Sequence, residues 1–502
     1  MAHPMPVPPR RIDALVSLGV GALTLAVYLR SLLPGVGYSG DTAKWQFLGV
    51  VGGVPHPTGY PLYLAIDQAW VAIVPWGSAA WRVNLLSAVL GAVAVGVVYA
   101  VLRIVEVRRE VAAATALVFA FSQTFWTQAV VAEVYTLHIL FLATVTACLA
   151  HWRKGAPNVW LLAGLGLYAL SFGHHLTTGL ALPGIAWLVW SDRKRALTLP
   201  NVAFVAGAVL VGASQYLYLL RLSDVGAYHE DHIDTFGDVL TYVTGGRFKD
   251  SMFIFSWYGL LVGRVPLWFR FLREEYFLLL VPVLYGVWRG VRAVDEAQRA
   301  IAVHLLSLAV FTSIYVLNFD VPDLIVFCLP LFLACAVFLG LGLEGAVEWV
   351  EQRRPDDPRL VARGVAAALV ALVAVVGLVD YGRASQRGTT LDAERIERAF
   401  DLVDDHSVLL TDGYHDSEYI WYYLLAEDLG DERDLVLANQ VRPSDVKAYF
   451  RSRTGPVAVA ALGVDAADPP LYTASPHQAI TLANAGLTVT PLADDVWQVT
   501  SP

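Results

Sequence analysis

The chain has 502 residues, 56% of them hydrophobic and only 16% charged, with mean hydropathy +0.54. A soluble domain carries about 25% charged residues and a more polar surface than this composition supplies, so a soluble enzyme is excluded and a polytopic membrane protein is indicated. A net charge of −9 argues against nonspecific nucleic-acid binding, 15 Trp, 22 Tyr and 21 Phe exclude disorder, and Cys148, Cys328 and Cys335 sit in apolar runs that offer neither a disulfide framework nor metal-ligand spacing.

A bilayer core needs about 20 apolar residues per helix, and fewer inside a bundle. In chain order the apolar runs predict eleven spans: Ala14–Leu33, Val83–Val105, Val111–Phe125, Val134–Ala150, Val159–Phe172, Leu176–Trp190, Ala203–Leu220, Tyr276–Val287, Ile301–Leu317, Leu324–Leu343 and Val361–Leu378. Pro61–Trp76 is apolar but carries Asp67 between Pro61 and Pro75, so it reads as a half-buried or interfacial helix. The first span follows Arg10 and Arg11 without a small-residue cleavage site and reads as a retained anchor.

Lys and Arg in short loops set the orientation. One set of loops holds Arg10 and Arg11; Arg103, Arg108 and Arg109; Arg153 and Lys154; Arg193, Lys194 and Arg195; Arg289, Arg292 and Arg299; and Arg353, Arg354, Arg359 and Arg363. The opposite short loops, near Glu133, His174 and Asp320, hold none. This predicts a cytoplasmic N-terminus, with a first outer loop at 34–82, a long outer loop at 221–275, and an extracytoplasmic segment 380–502. That tail is a composition break. Ser407–Thr411, Asp434–Ala438, Val457–Ala461 and Val496–Thr500 read as strands and Asp416–Glu427 as a helix, which predicts a small α/β domain behind a transmembrane region 1–379.

Polar groups at membrane depth are expensive and mark function. Here they collect at the outer helix ends. The first outer loop is densest: GYSGDTAKWQ (Gly37–Gln46) and GGVPHPTGYPLY (Gly52–Tyr63). Asp41 reads either as an N-cap or as a general base held at the membrane surface; the two roles are compatible. His56 lies between two prolines, and Tyr60 is bracketed by Gly59 and Pro61. A stiff turn needs no such side chains, so both are candidate ligand-facing groups, with Lys44 beside them. Glu133 reads as a helix-start carboxylate or a second catalytic candidate. His174 and His175 diverge on a helix and lack a flanking carboxylate, which favours hydrogen bonding to a phosphate or sugar over a metal. Asp320 and Asp323 read singly as turn or cap residues, with Asp320 kept as a candidate. The long outer loop carries Arg221, Arg247, Lys249, Arg264, Arg270 and Arg273, either snorkelling to headgroups or pairing with a lipid-linked phosphate; Arg247, after Gly245-Gly246, is the favoured phosphate ligand.

The runs GDTAKWQFLGVVGGVPHPTGYPLY, WRVNLLSAVLGA (Trp81–Ala92), FSQTFWTQAVVAEVYTLH (Phe121–His138) and LSFGHHLT (Leu170–Thr177) resemble the polytopic O-mannosyltransferase family whose animal member modifies plexin-type domains. The likeness covers residues 14 to about 343, and VLLTDGYHDSEYIWYYLLAEDL (Val408–Leu429) is similar to the soluble portion of prokaryotic relatives. The family is similar to the GT-C superfamily of membrane glycosyltransferases. The resemblance implies a hexosyltransferase in a prokaryotic plasma membrane that takes a sugar, mannose in this family, from a polyprenyl-phosphate carrier. The acceptor would be a protein Ser/Thr, a glycan or a lipid. It also implies an acidic residue in the first outer loop, a position Asp41 fills, here as a single Asp in GDT rather than a paired acidic motif.

That chemistry suits the layout. A lipid-phosphate leaving group needs little protonation, so one base suffices for a single inverting displacement, unlike a glycosidase. No resident metal or other cofactor is expected, although Asp41, Glu133 and a His would be the ligands of a divalent-metal variant. The rival readings are a multi-span transporter, which would place charges near the bilayer midplane, and a non-catalytic membrane scaffold.

Overall fold

The computed structural model describes residues 10–37, 40–354, 357–411, 413–464 and 468–501, and the side chains of residues 247, 392 and 414–416 are not among those described. Helices cover the eleven predicted spans. Seven of the described helices are long and apolar enough to cross a membrane: Arg11–Ser31, Ala79–Ile104, Tyr135–Arg153, Leu199–Val225, Glu296–Asn318, Leu324–Arg353 and Pro358–Ala384. The other four predicted spans are shorter. Arg109–Ala120 stops at Phe121–Ser122 and restarts as Gln123–Ala129, where Glu275 accepts the Thr124 N–H and hydroxyl. Asn158–Ser171 and Leu176–Ser191 are short apolar helices, and the eighth span starts later than expected, at Leu280. Among the described residues, length and composition alone support seven crossings and do not confirm the other four.

Ala79–Ile104 is the central helix. It starts where the Ser78 hydroxyl accepts the Trp81 N–H at 3.2 Å, and it packs between Arg10–Ser31 and Tyr135–Arg153. Leu280–Val291 approaches Leu329–Arg353 so closely that a Cβ on Gly286 or Gly342 would overlap the backbone carbonyl of Phe338 or Pro282. Small residues permit such contact where lipid gives no hydrophobic drive between helices.

The two ends of the bundle differ in chemistry. At one end the arginine-bearing loops meet: Asp13 accepts from Tyr99, Arg103 and Arg109, Arg108 pairs with Glu344 and Glu351, and Lys154 pairs with Glu106 and Asp295. The loops predicted to lie outside gather at the other end. Pro61–Ile73 is a helix there, as expected. Strand β1 (Gly53–Val54) pairs in parallel with β2 (Tyr228–His229), tying the first outer loop to the long one.

Residues 408–500 contain a five-stranded sheet made of β3 (Val408–Leu410), β4 (Val436–Ala438), β5 (Leu471–Thr473), β6 (Thr488–Ala493) and β7 (Val496–Thr500). Its order is β4-β3-β5-β7-β6, with the first three parallel and the last two antiparallel to their neighbours. Val457–Ala461, expected as a strand, is a helix over Pro456–Ala461. Pro456 occupies its first turn and Gly455, at φ +91°, turns the chain into it. This region seats on the loops predicted to lie outside: the Tyr422 hydroxyl accepts the Ala80 N–H at 3.2 Å, and Trp421 meets Tyr228 edge-on at 5.9 Å.

Candidate active site

The helix Thr42–Val51 begins at Asp41, whose carbonyl accepts the Trp45 N–H. The Asp41 carboxylate makes no capping hydrogen bond. It turns instead to two cations: Lys44 Nζ lies 3.0 Å from Oδ1 and His56 Nε2 lies 2.7 Å from Oδ2. Pro55 and Pro57 hold His56 on its loop, with Nδ1 3.0 Å from the Pro57 carbonyl oxygen. A carbonyl only accepts, so Nδ1 carries a proton, and Nε2 needs a second to face an ionised Asp41. The pair is therefore imidazolium and carboxylate. Burial opposes both charges, but the attraction wins. His56 together with Lys44 holds Asp41 well below the usual carboxylate range, and Asp41 raises His56 above its ordinary 6.5.

Glu133 lies directly beneath this loop. Ser87 clamps its backbone, donating to the Glu133 carbonyl and accepting its N–H. The Glu133 carboxyl takes the backbone N–H groups of Val134 and Asp41. Gly40, at φ +56°, passes so close that a Cβ would stand 2.8 Å from Glu133 Oε1. Burial, then the charges of Asp41 and Asp323, push the Glu133 carboxyl well above its ordinary range. The two carboxyls thus divide roles, Asp41 ionised and Glu133 disposed to hold a proton.

Asp41, His56, Tyr60, Glu133 and His175 line one cavity of about 930 Å³. Tyr60 sits edge-on between His56 and His175, with ring centroids at 5.2 and 5.6 Å. His175 Nδ1 accepts the Thr177 N–H, which places its proton on Nε2. That N–H is buried and has no partner among the described residues. Burial and the nearby His56 charge lower His175 to about 3, so the ring is neutral.

The remaining predicted ligands fall elsewhere. Lys44 is fully buried in an ion cluster and does not reach the cavity. His174 is fully buried, donating from Nε2 to the Val134 carbonyl at 2.9 Å, and so braces the loop behind Glu133. Asp320 points outward and pairs with Arg264 at 3.5 Å; its neighbour Asp323 lines the cavity instead. The side chain of Arg247 lies outside the described residues. Two positions on, Lys249 lines the cavity and donates to Thr244 at 3.0 Å. Tyr135, Thr177 and Tyr315 also line the cavity and are not singled out by the sequence. Tyr135 and Thr177 lie inside the runs Phe121–His138 and Leu170–Thr177, which is the available signal; Tyr315 lies inside a predicted span and gives none. Among the described residues no group of three or more His, Cys, Asp or Glu side chains is arranged to hold a metal ion.

A second cavity of about 900 Å³ adjoins the first, sharing Leu176 and Val243. It runs between Asn158–Ser171, Leu182–Ser191 and Leu199–Ser214 and is lined almost wholly by apolar side chains, among them Leu165, Val205, Val209 and Leu240.

Residues 47–198 match the family described as the Protein O-mannosyl-transferase TMEM260 N-terminal domain. The chain resembles the TMEM260 protein O-mannosyltransferases. It is 30% identical to mouse Protein O-mannosyl-transferase TMEM260 over 236 residues, which are 45% of this chain and 32% of the mouse protein. The Dictyostelium discoideum relative is 23% identical over 211 residues, 38% of this chain and 26% of that protein. The chain thus spans about a third or less of the curated relatives it matches. Its fold is similar to that of ArnT from Cupriavidus metallidurans bound to undecaprenyl phosphate, with TM-score 0.60, 13% identity and coverage of 96% and 97% of the two chains. The Archaeoglobus fulgidus oligosaccharyltransferase follows at TM-score 0.54 and 11% identity, covering 97% of this chain and 73% of that one. The architecture is therefore similar to that of ArnT and of the oligosaccharyltransferase.

Proposed function

We propose that the protein is a membrane glycosyltransferase that moves a sugar, mannose by its relatives, from a polyprenyl-phosphate carrier to a hydroxyl acceptor on the extracytoplasmic side. The acceptor class is a protein Ser/Thr or a glycan. The observation that carries this reading is an ionised carboxylate, Asp41, at the wall of a polar cavity that opens beside an apolar groove. The groove has the chemistry for a polyprenyl tail, and the polar cavity has room for the sugar and phosphate. Lys249 and the neutral His175 N–H are donors suited to the phosphate oxygens.

The acceptor oxygen attacks the anomeric carbon from the face opposite the phosphate. The bond to the phosphate oxygen breaks and its electron pair leaves with the carrier phosphate. The acceptor's proton passes to Asp41, and the anomeric configuration inverts. Glu133 holds the Gly40–Asp41 backbone in place. The resemblance to mannosyltransferases and the charge asymmetry of the loops support the cytoplasmic N-terminus and the extracytoplasmic tail. A substituted-cysteine scan of residues 34–82 in sealed vesicles tests that orientation.

Asp41→Asn keeps the shape and removes the base. With radiolabelled polyprenyl-phosphate mannose and a Ser/Thr-rich peptide, we expect transfer to fall by about 10²- to 10⁴-fold while the protein still purifies folded. Transfer at the wild-type rate would remove Asp41 as the base.

A further inference from the structure

Lys44 is fully buried, with its Nζ among carboxylates. Burying an ammonium is unfavourable unless carboxylates surround it closely. The described structure supplies three, from segments far apart in the chain. Asp41 and Glu418 lie 3.0 and 3.1 Å from Nζ, and Glu230 also pairs with it. Asp41 belongs to the first outer loop, Glu230 follows β2 in the long outer loop, and Glu418 belongs to the helix Tyr414–Trp421 of the C-terminal region. Glu230 and Glu418 are themselves almost fully buried, with 6% and 3% of their side chains exposed.

The surroundings hold this arrangement in register. The Glu230 N–H donates to the Val54 carbonyl beside the β1–β2 pair. The C-terminal helix is anchored by Trp421 against Tyr228 and by the Tyr422 contact to Ala80. Lys44 is thus held from the far side by two carboxylates on anchored backbone, and its ammonium presents a fixed charge to Asp41 Oδ1. Held by Asp41 alone, it would move with the loop that starts at Gly40.

We propose that the C-terminal α/β region supplies a positioning residue to the active site: the Glu418 carboxylate fixes the Lys44 ammonium, and Lys44 fixes the Asp41 carboxylate in its reactive pose. The region is then part of the catalytic apparatus and not an appended cap. The inference rests on the reading of Asp41 as the base. Small errors in the placement of a reacting group cost about 10²-fold in rate, so loss of the Glu418 charge acts on turnover. Donor affinity is untouched, because neither Glu418 nor Lys44 lines the cavity.

The test uses the full-length protein in detergent, with radiolabelled polyprenyl-phosphate mannose and a Ser/Thr-rich peptide. Glu418→Gln is expected to lower kcat at least tenfold with donor KM unchanged. In the Asp41→Asn background the same substitution should cause no further loss, because the group it positions is already gone. A general folding defect would instead multiply with Asp41→Asn, and that result overturns the proposal. So does a wild-type kcat for Glu418→Gln beside an inactive Asp41→Asn, which leaves the base assignment standing. A fully active Asp41→Asn removes the base assignment, and the proposal with it. Should Glu418→Gln fail to fold, Glu418→Asp carries the test: it keeps the charge on a shorter arm, so a reduced kcat at unchanged KM supports the proposal and a wild-type kcat overturns it.

Discussion

Gly40→Ala is the sharpest perturbation available near Asp41, because it adds one methyl group and removes no polar atom. Gly40 sits at φ +56°, a left-handed conformation that costs an L-residue about 1–2 kcal/mol. Its new Cβ would also stand 2.8 Å from Glu133 Oε1, where ordinary contact needs at least 3.4 Å. Glu133 must retreat or the loop must lift, and either change weakens the hydrogen bond from the Asp41 N–H, worth about 0.5–1.5 kcal/mol. Together these give about 1.5–3.5 kcal/mol, a factor of about 10 to 400 at a tenfold change per 1.36 kcal/mol. The loop can relax without unfolding the bundle, so the strain should appear as lost transfer rate with only a small change in melting temperature. Gly35→Ala is the control, since no atom lies within 4 Å of its Cβ position and its φ is ordinary. Both proteins are measured for sugar transfer and for thermal unfolding in the same detergent. Equal rates for the two variants would refute the placement of Glu133 beneath Gly40.

The His56–Asp41 pair sets a pH window for stability. His56 is raised above 6.5, so its contribution is complete below that pH and is lost as the pH rises through the raised value; Asp41 is depressed below 3.8, so its contribution is present above that pH and is lost only as the pH falls through the depressed value. Melting temperature should therefore decline on the alkaline side in the wild type, and His56→Gln should flatten that decline, as differential scanning fluorimetry across pH would show. His175→Ala removes the unpartnered Nε2–H and should lower kcat/KM for the lipid-linked donor about tenfold or more, as expected for a hydrogen bond to a charged group; an unchanged value would take His175 out of the donor site. Ala206→Trp places an indole in the apolar groove. It should raise KM about tenfold for a long-chain polyprenyl donor and leave a two-isoprene analogue unaffected, and equal effects on both would place the tail elsewhere.

Much of the architecture is legible in the residues themselves. Apolar runs are read by lipid one helix at a time, so stretches such as Val83–Val105 and Ile301–Leu317 announce their helices without knowledge of any neighbour. Arginine counts separate the two ends of the bundle for the same reason, since each loop is sorted by its own charge. Pro and Gly around His56 and Tyr60 mark a stiff loop before any contact is known. The short helix at Pro456–Ala461 shows where such local reading fails: a run of small apolar residues fits either period, and Pro456 with Gly455 decided between them.

Side-chain direction was not legible, because it depends on what the rest of the chain brings alongside. Lys44 and His56 both pair with Asp41, yet one is sealed behind the carboxylate and the other faces the cavity. His174 and His175 are adjacent in sequence and divide the same way. Sequence alone determined a membrane bundle whose polar loops carry two candidate carboxylates, Asp41 and Glu133. Only the tertiary structure decided that Glu133 supports Asp41 from below, that Asp323 rather than Asp320 reaches the cavity, and that Glu418, from the far end of the chain, shares Lys44 with Asp41. Local propensity acts over a few residues, whereas burial of a charge is settled by whichever distant segments can neutralise it.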